Sequence, residues 1–323
     1  MSDWSDVYVG RRAVVLGASG FIGRWTARAL GDRGAKVVAV GRDRETLDQA
    51  LGAAQATAEI VVQDVTRAAP KDWLPALQPD VVFNLAGYGV DRSERDRELA
   101  RRLNHELVAE LAAVVGSLGG RSWPHVRLVH TGSALEYGST GGVLREDSPT
   151  AAGTLYGETK LAGTMALVER SRATASRALV ARLFTVYGPG EHAGRLLPSV
   201  LAATTSDAAV PLSDGMQQRD FAYVEDVAEG LLRLAVSSAE PGAVVNLATG
   251  VMQSVRDFVL TSAEVCGIPT QRLQFGVLPR REEEMQQTGV SVERLRALTR
   301  WRPSEDLALG VRRTLARLAA QPR

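Results

Sequence analysis

The stretch Val14-Val15-Leu16-Gly17-Ala18-Ser19-Gly20-Phe21-Ile22-Gly23 restricts this chain more than any other. An apolar run enters a turn with glycines at 17, 20 and 23, and an amphipathic segment from 24 to 30 follows. A near-continuous apolar run reads as a strand buried on both faces of a parallel sheet. A strand that feeds a glycine turn and then a helix presents backbone N–H groups, at the positive end of the helix dipole, to a pyrophosphate. Gly17 permits the tight turn, Gly20 admits the phosphate to the backbone, and Gly23 allows close packing of helix on sheet. Ser19, Phe21 and Ile22 belong to the same cradle. The spacing is GxxGxxG rather than GxGxxG, and with 31 glycines in 323 residues it gains weight only from its setting.

That setting is an alternation of strands and helices. Strands are predicted at 13–16, 36–40, 58–62, 80–85 and 126–130, with helices at 22–32, 44–52, 94–116 and 156–171. This is the pattern of a doubly wound parallel α/β sheet, which binds ligands at the carboxyl ends of its strands. Gly41-Arg42 follows the second strand, where sites for NAD place an acidic residue for the ribose. An arginine there pairs with a 2′-phosphate, so NADP(H) is expected over NAD(H). Asp64 and Val65 follow the third strand and either meet the adenine edge or cap the next turn. Leu85-Ala86-Gly87 after the fourth is a small-residue bend suited to backbone passing a cofactor.

From residue 186 the regular alternation breaks down. Short strands at 210–212, 217–223 and 274–277 and a strand at 243–247 that returns toward the main sheet are expected, with helices at 196–203, 224–235, 255–266, 292–298 and 305–319. The domain reading is therefore a dinucleotide-binding unit over 1–185 with a return at 224–258, and a smaller, partly interleaved C-terminal α/β substrate unit over 186–223 and 259–323.

Composition removes several function classes. Thirty-eight basic and 37 acidic side chains leave a net charge of +1, without the excess that nucleic acid or an anionic membrane requires. A single cysteine, Cys266, excludes an internal disulfide and a multi-cysteine metal centre, and His105 has no ligand cluster around it. No apolar run reaches membrane-spanning length and the first ten residues are polar, so a cytoplasmic protein is expected.

Chemistry concentrates in two stretches. The fifth strand delivers Ser133, and Tyr156 and Lys160 lie four apart on one helical face. An ammonium beside a phenol lowers its pKa and readies it to give or take a hydroxyl proton as hydride moves at carbon. Ser133 can hold the carbonyl oxygen in line, and Lys160 can also bond the nicotinamide ribose. A Tyr-x-x-x-Lys pair alone is weak; joined to the Gly17 turn, Gly41-Arg42 and Ser133 it gives four roles at four strand ends.

These residues stand in motifs. GASGFIG at 17–23, NLAG at 84–87, SALEYG at 133–138, YGETK at 156–160, RLFTVYGPG at 182–190, RDFAYVEDVA at 219–228 and WRP at 301–303 together resemble the extended short-chain dehydrogenase/reductase family. Within it the likeness is to nucleotide-sugar epimerases, dehydratases and ketoreductases, and it spans nearly the whole chain. The resemblance implies a Rossmann fold, the catalytic set Ser133, Tyr156 and Lys160, a homodimer, and a diphosphate-bearing substrate clamped by Arg219 and Arg281, with Arg195 a further cation. Three departures shape the expected activity. Family dehydratases carry Asp-Glu after the active-site hydroxyl, where this chain has Ala134-Leu135; neither moves a proton. The asparagine of the family's RxxNVYGPG is Thr185, and Arg42 replaces the acidic residue of tightly NAD-binding epimerases. The expectation is NADPH-dependent reduction of a keto group, at C4, on a nucleotide-linked deoxysugar. The alternatives are a nucleotide-sugar 4-epimerase, a reductase of a ketone or aldehyde without a nucleotide, or a non-catalytic dinucleotide-binding protein on the same fold.

Overall fold

A computed structural model describes residues 4–91, 93–118, 123–279 and 287–320. In chain order the elements are β1 (Arg12–Leu16), α1 (Phe21–Gly31), β2 (Lys36–Gly41), α2 (Arg44–Ala54), β3 (Glu59–Val62), α3 (Pro70–Trp73), β4 (Val81–Asn84), α4 (Arg97–Arg101), a π-turn (Arg102–Glu106), α5 (Leu107–Ser117) and β5 (Leu128–Ser133). Then come β6 (Gly142–Leu144), α6 (Leu155–Thr174), β7 (Ala178–Leu183), β8 (Thr185–Tyr187), α7 (Leu196–Ala202), β9 (Val210–Leu212), β10 (Gln218–Tyr223) and α8 (Val224–Ala235). The chain closes with β11 (Ala243–Leu247), β12 (Met252–Ser254), α9 (Val255–Val265), β13 (Leu273–Phe275), β14 (Gln287–Val290), α10 (Glu293–Thr299) and α11 (Leu307–Ala319).

A seven-stranded parallel sheet runs in the order β11-β7-β5-β4-β1-β2-β3. The order reverses beside β1, at the switch point where such sheets open a crevice for ligands. Side chains alternate between two cores. Ala13, Val15, Val37, Ala39, Val81 and Phe83 pack on one face with α1 and α8; Val14, Leu16, Val38, Val40 and Val82 pack on the other with α5. Burial on both faces is what the unbroken apolar runs encode, and each fully buried valine or leucine is worth about 1.5–3 kcal/mol.

The structure departs from the sequence reading in two places and falls on one side of it elsewhere. Strand β7, second from the β11 edge, has no counterpart in that reading, because Arg182 interrupts its apolar run; the arginine is nonetheless 4% exposed. The expected helix over 94–116 is α4 and α5 joined through the π-turn, and its leucines at 103, 107 and 111 are buried against the sheet. Tyr187 and Phe221 lie in a core cluster around Phe258. Asp64 takes the capping alternative: its Oδ1 accepts from Thr66 N (2.9 Å) and Thr66 Oγ1 (2.6 Å). The strand over 243–247 does join the main sheet, as β11 beside β7. Among the described residues no helix is long and apolar enough to cross a membrane.

Candidate active site

The glycine turn is built by contact. Gly17 has φ +76°, and a Cβ on it would fall 2.7 Å from Ala86 N and 2.8 Å from Leu85 O, so the bend after β4 lies directly on the turn after β1. Leu85 N donates to Leu16 O (3.0 Å), which ties the two strand ends together. A Cβ on Gly23 would fall 2.1 Å from Gly17 O, so α1 sits against the turn as closely as backbone allows. Gly20 is exposed and caps α1 in extended conformation without a side chain to take its first N–H groups. Those donors, with half-buried Ser19, Phe21 and Ile22 around them, fit a pyrophosphate. Arg24 folds back along this turn, donating from Nη2 to Ser19 O (2.8 Å) and from Nε to Gly20 O (3.1 Å).

At the far end of the crevice Gly41 closes on Leu47, where a Cβ would meet Cγ at 3.1 Å, and Arg42 beyond it is exposed. Asp43 caps α2 by accepting from Thr46 N (2.7 Å), so the acidic side chain nearest Arg42 in sequence is turned to the helix. Asp64 lies close enough for Arg42 to lower its carboxyl pKa, after the larger effect of its Thr66 hydrogen bond. Val65 is buried, and Leu85, Ala86 and Gly87 line the bend between β4 and the next loop.

Ser133 ends β5, and Tyr156 and Lys160 come from the first turns of α6, which Thr154 caps by accepting from Gly157 N (3.0 Å). Gly157 has no room for a side chain: its Cβ would stand 2.6 Å from Leu135 O, so α6 is pressed onto the turn after Ser133. The Ser133 hydroxyl accepts from Leu135 N (3.2 Å) and lies against the Tyr156 phenol, where it opposes an upward shift. Burial, and then the charge of Glu136, push that phenol up to about 12. This reverses the expectation of a lowered phenol: burial and the Glu136 charge outweigh the Ser133 hydrogen bond and the Arg195 charge, which act the other way. Lys160 is 2% exposed, donates to Thr131 O (2.5 Å), and is brought down to about 8 by burial, with Glu136 opposing. Buried His130 beside it is held neutral, its pKa well below the usual imidazole value through burial and the Lys160 charge.

Asn104, at the π-turn, joins the helices behind the site. Its Nδ2 donates to Tyr88 O (2.7 Å) and Thr159 Oγ1 (3.0 Å), and its Oδ1 accepts from Tyr88 N (3.0 Å). The sequence reading gave no role to Asn104 or to Glu136. Glu136 is fully buried; Oε1 accepts from Ser133 N (2.7 Å) and Oε2 from Arg182 Nε (2.8 Å). Its signal was present as Ser-x-x-Glu at 133–136, the spacing of a capping box.

Of the three cations expected to hold a diphosphate, Arg195 is half-exposed at the start of α7, 3.5 Å from the Glu191 carboxylate, and its charge acts on Tyr156. Arg219 is half-buried on β10. Arg281 lies outside the described residues. Glu191 was not anticipated: its carboxyl is 6% exposed, and burial pushes it up to about 7. Among the described residues there is no cluster of three or more His, Cys, Asp or Glu able to hold a metal ion.

A parallel sheet with this glycine turn and a Ser-Tyr-Lys set at its carboxyl edge defines a nicotinamide-dinucleotide-dependent enzyme of the oxidoreductase type. The chain belongs to the NAD dependent epimerase/dehydratase family, whose model matches residues 13–248. It is 30% identical over 316 residues to a dTDP-6-deoxy-L-talose 4-dehydrogenase (NAD(P)(+)) of Kitasatospora kifunensis, covering 93% of both chains. It is 35% identical over 183 residues to a dTDP-4-dehydrorhamnose reductase of Streptomyces griseus, covering 56% of this chain and 53% of that one. Among solved structures, MoeE5 in complex with UDP-glucose and NAD superposes with a TM-score of 0.79 at 27% identity, covering 95% of this chain and 98% of that one. Relatives named as a nucleotide-sugar 4-dehydrogenase, a 4-dehydro-sugar reductase and a 4-epimerase are thus all similar to this chain.

Proposed function

We propose that this protein reduces a keto group, at C4, of a nucleoside-diphosphate-linked 6-deoxysugar with NADPH as cosubstrate. The observation that supports this most is the Ser133 hydroxyl against the Tyr156 phenol, with buried Lys160 one turn further along α6, at the carboxyl edge of the sheet that carries the glycine turn, and Arg42 exposed at the end of β2. When bound, the reduced nicotinamide supplies a hydride. Ser133 hydrogen-bonds the substrate carbonyl oxygen and Tyr156 gives that oxygen its phenolic proton. Hydride on carbon and proton on oxygen together make the alcohol. Lys160 stabilises the phenolate left behind and binds the ribose. Arg195 and Arg219 neutralise the diphosphate. Ala134 and Leu135 cannot transfer a proton, which argues against elimination of water from the sugar. Relatives that oxidise or reduce at C4 of dTDP-deoxysugars support the position of the reacting carbon.

Arg42→Ala should weaken NADPH about 10–100-fold, the loss of one charge-assisted contact, while NADH changes by less than about threefold. Titration of both nucleotides by quenching of tryptophan fluorescence reads this, and equal losses would contradict the cofactor assignment.

Reduction requires neutral Tyr156 and cationic Lys160. With Lys160 at about 8 and Tyr156 at about 12, kcat/KM for reduction should be level at neutral pH and fall above about pH 8 as Lys160 loses its charge. A profile that rises through pH 8 would overturn these roles.

A further inference from the structure

We propose that Glu136 is a positioning residue of the reaction centre: one carboxylate oxygen fixes the Ser133 backbone, and its buried ion pair with Arg182 sets the polar surroundings of Lys160 and Tyr156. This rests on the roles of Ser133, Tyr156 and Lys160 argued above. Three observations support it. Glu136 is fully buried, and Oε1 takes the amide N–H of Ser133 at 2.7 Å. Its position is enforced from both sides: a Cβ on Gly132 would stand 2.5 Å from Oε1, and Arg182 Nε holds Oε2 at 2.8 Å. Arg182 is itself fixed, its guanidinium 4.5 Å over the Tyr137 ring, whose hydroxyl donates to Asn246 Oδ1 at 2.7 Å. A chain of buried polar groups thus runs from β11 through β7 to the end of β5 and stops at Ser133.

A capping box alone needs no charge, since glutamine serves at its third position. A full carboxylate in a desolvated setting acts over a longer range. The groups facing Tyr156 are Glu136 and Glu94, which favour the neutral phenol, and Ser133 and Arg195, which oppose them. Lys160 bonds Thr131 O, next to the Gly132 backbone against which Glu136 Oε1 lies; Glu136 favours its ammonium, the Arg182 cation paired with Glu136 offsets part of that charge, and buried His130 stays neutral. Glu136 is thus common to both members of the proton-transferring pair. Its removal moves both ionisations toward lower pH, so the ammonium is lost sooner and the phenol gives up its proton more readily.

The test uses an accident of composition. The sequence has three lysines, Lys36, Lys71 and Lys160, of which the first two are exposed. In protein labelled with 13C at the lysine ε-carbon, Lys160 gives one titrating signal, assigned by its loss in Lys160→Met, with the other two as internal references. Glu136→Gln keeps the hydrogen-bond acceptor for Ser133 and removes the charge. The Lys160 midpoint should fall by about one pH unit while Lys36 and Lys71 stay within about 0.2, and the alkaline limb of kcat/KM should move with it. Because glutamine leaves the Arg182 charge unpaired, the double variant Glu136→Gln/Arg182→Met provides a second, charge-balanced background, in which a smaller downward shift is expected because the repulsion from Arg182 is removed as well. An unmoved Lys160 midpoint in either folded variant overturns the proposal and leaves Glu136 a cap. Were no keto sugar reduced by the wild type, the reductase reading would fail, while the NMR midpoint would still report whether Glu136 sets the charge of Lys160.

Discussion

Tyr156→Phe should lower the turnover number about 10³-fold and leave NADPH binding within a few-fold of wild type. The substitution removes one hydroxyl from a ring held between the Ser133 end of β5 and Gly89, whose Cβ would approach Tyr156 Cδ2 to 3.3 Å, so the packing of the ring is preserved. What is lost is the proton donor, and general acid catalysis by a positioned side chain is worth roughly 10²–10⁴ in rate. Because the phenol lies at about 12, it holds its proton across the physiological range and needs no other group to load it before each reduction. Single-turnover measurement of NADPH oxidation separates this loss from any change in substrate release. A drop below tenfold would mean that another group protonates the oxygen, and the buried Glu191 carboxyl, at about 7, would be the first to examine.

Gly23→Ala should be the most damaging methyl group that can be added to the glycine turn. The new Cβ would fall 2.1 Å from Gly17 O, 2.8 Å from Gly17 C and 2.9 Å from Ala18 Cα, all backbone that cannot rotate aside. Helix α1 must then move off the turn, at a cost of about 1–3 kcal/mol or more, and the movement opens the donors at its N-terminus. A fall in the thermal midpoint together with a loss of roughly tenfold or more in dinucleotide affinity is expected by calorimetry and titration. Gly52→Ala is the control. Gly52 lies in α2, where a Cβ meets nothing within 4 Å, so alanine there should raise stability by about 0.5–1 kcal/mol through helix propensity alone. A harmless Gly23→Ala would show that α1 is less closely seated than its contacts require.

The contrast between these two glycines shows what was legible in the sequence. The strand-turn-helix over 13–30 could be read because an apolar run, three spaced glycines and an amphipathic helix all point the same way. β7 could not, because Arg182 breaks the pattern of a buried strand, and its compensation by Glu136 lies 46 residues away in the chain. Local periodicity contains no such pairing. The π-turn at 102–106 is an intermediate case. Leucines at 99, 103, 107 and 111 repeat at strict fours, which drift about 40° per step around an ordinary helix of 3.6 residues per turn. A wider π-turn takes up most of that drift and returns Leu107 and Leu111 to the face of Leu103. The fours were visible; their meaning emerged only once Asn104 was seen holding Tyr88 and Thr159 from that turn. Among the candidate site residues, Ser133, Tyr156 and Lys160 could be singled out from motif and spacing, whereas nothing local singles out Glu136 and Glu191, carboxylates that only the fold shows to be buried.

The central claim is net reduction, and one measurement addresses it directly: purified protein is given NADPH and a panel of nucleoside-diphosphate 4-keto-6-deoxysugars, NADPH absorbance is followed, and the sugar product is identified by NMR. The reductase account predicts one NADPH consumed for each C4 alcohol formed, on at least one member of the panel, with wild-type rates lost in Tyr156→Phe. Interconversion of C4 epimers of the corresponding alcohols by bound dinucleotide, with no net NADPH consumed and no keto sugar reduced, would contradict it and make the protein a 4-epimerase.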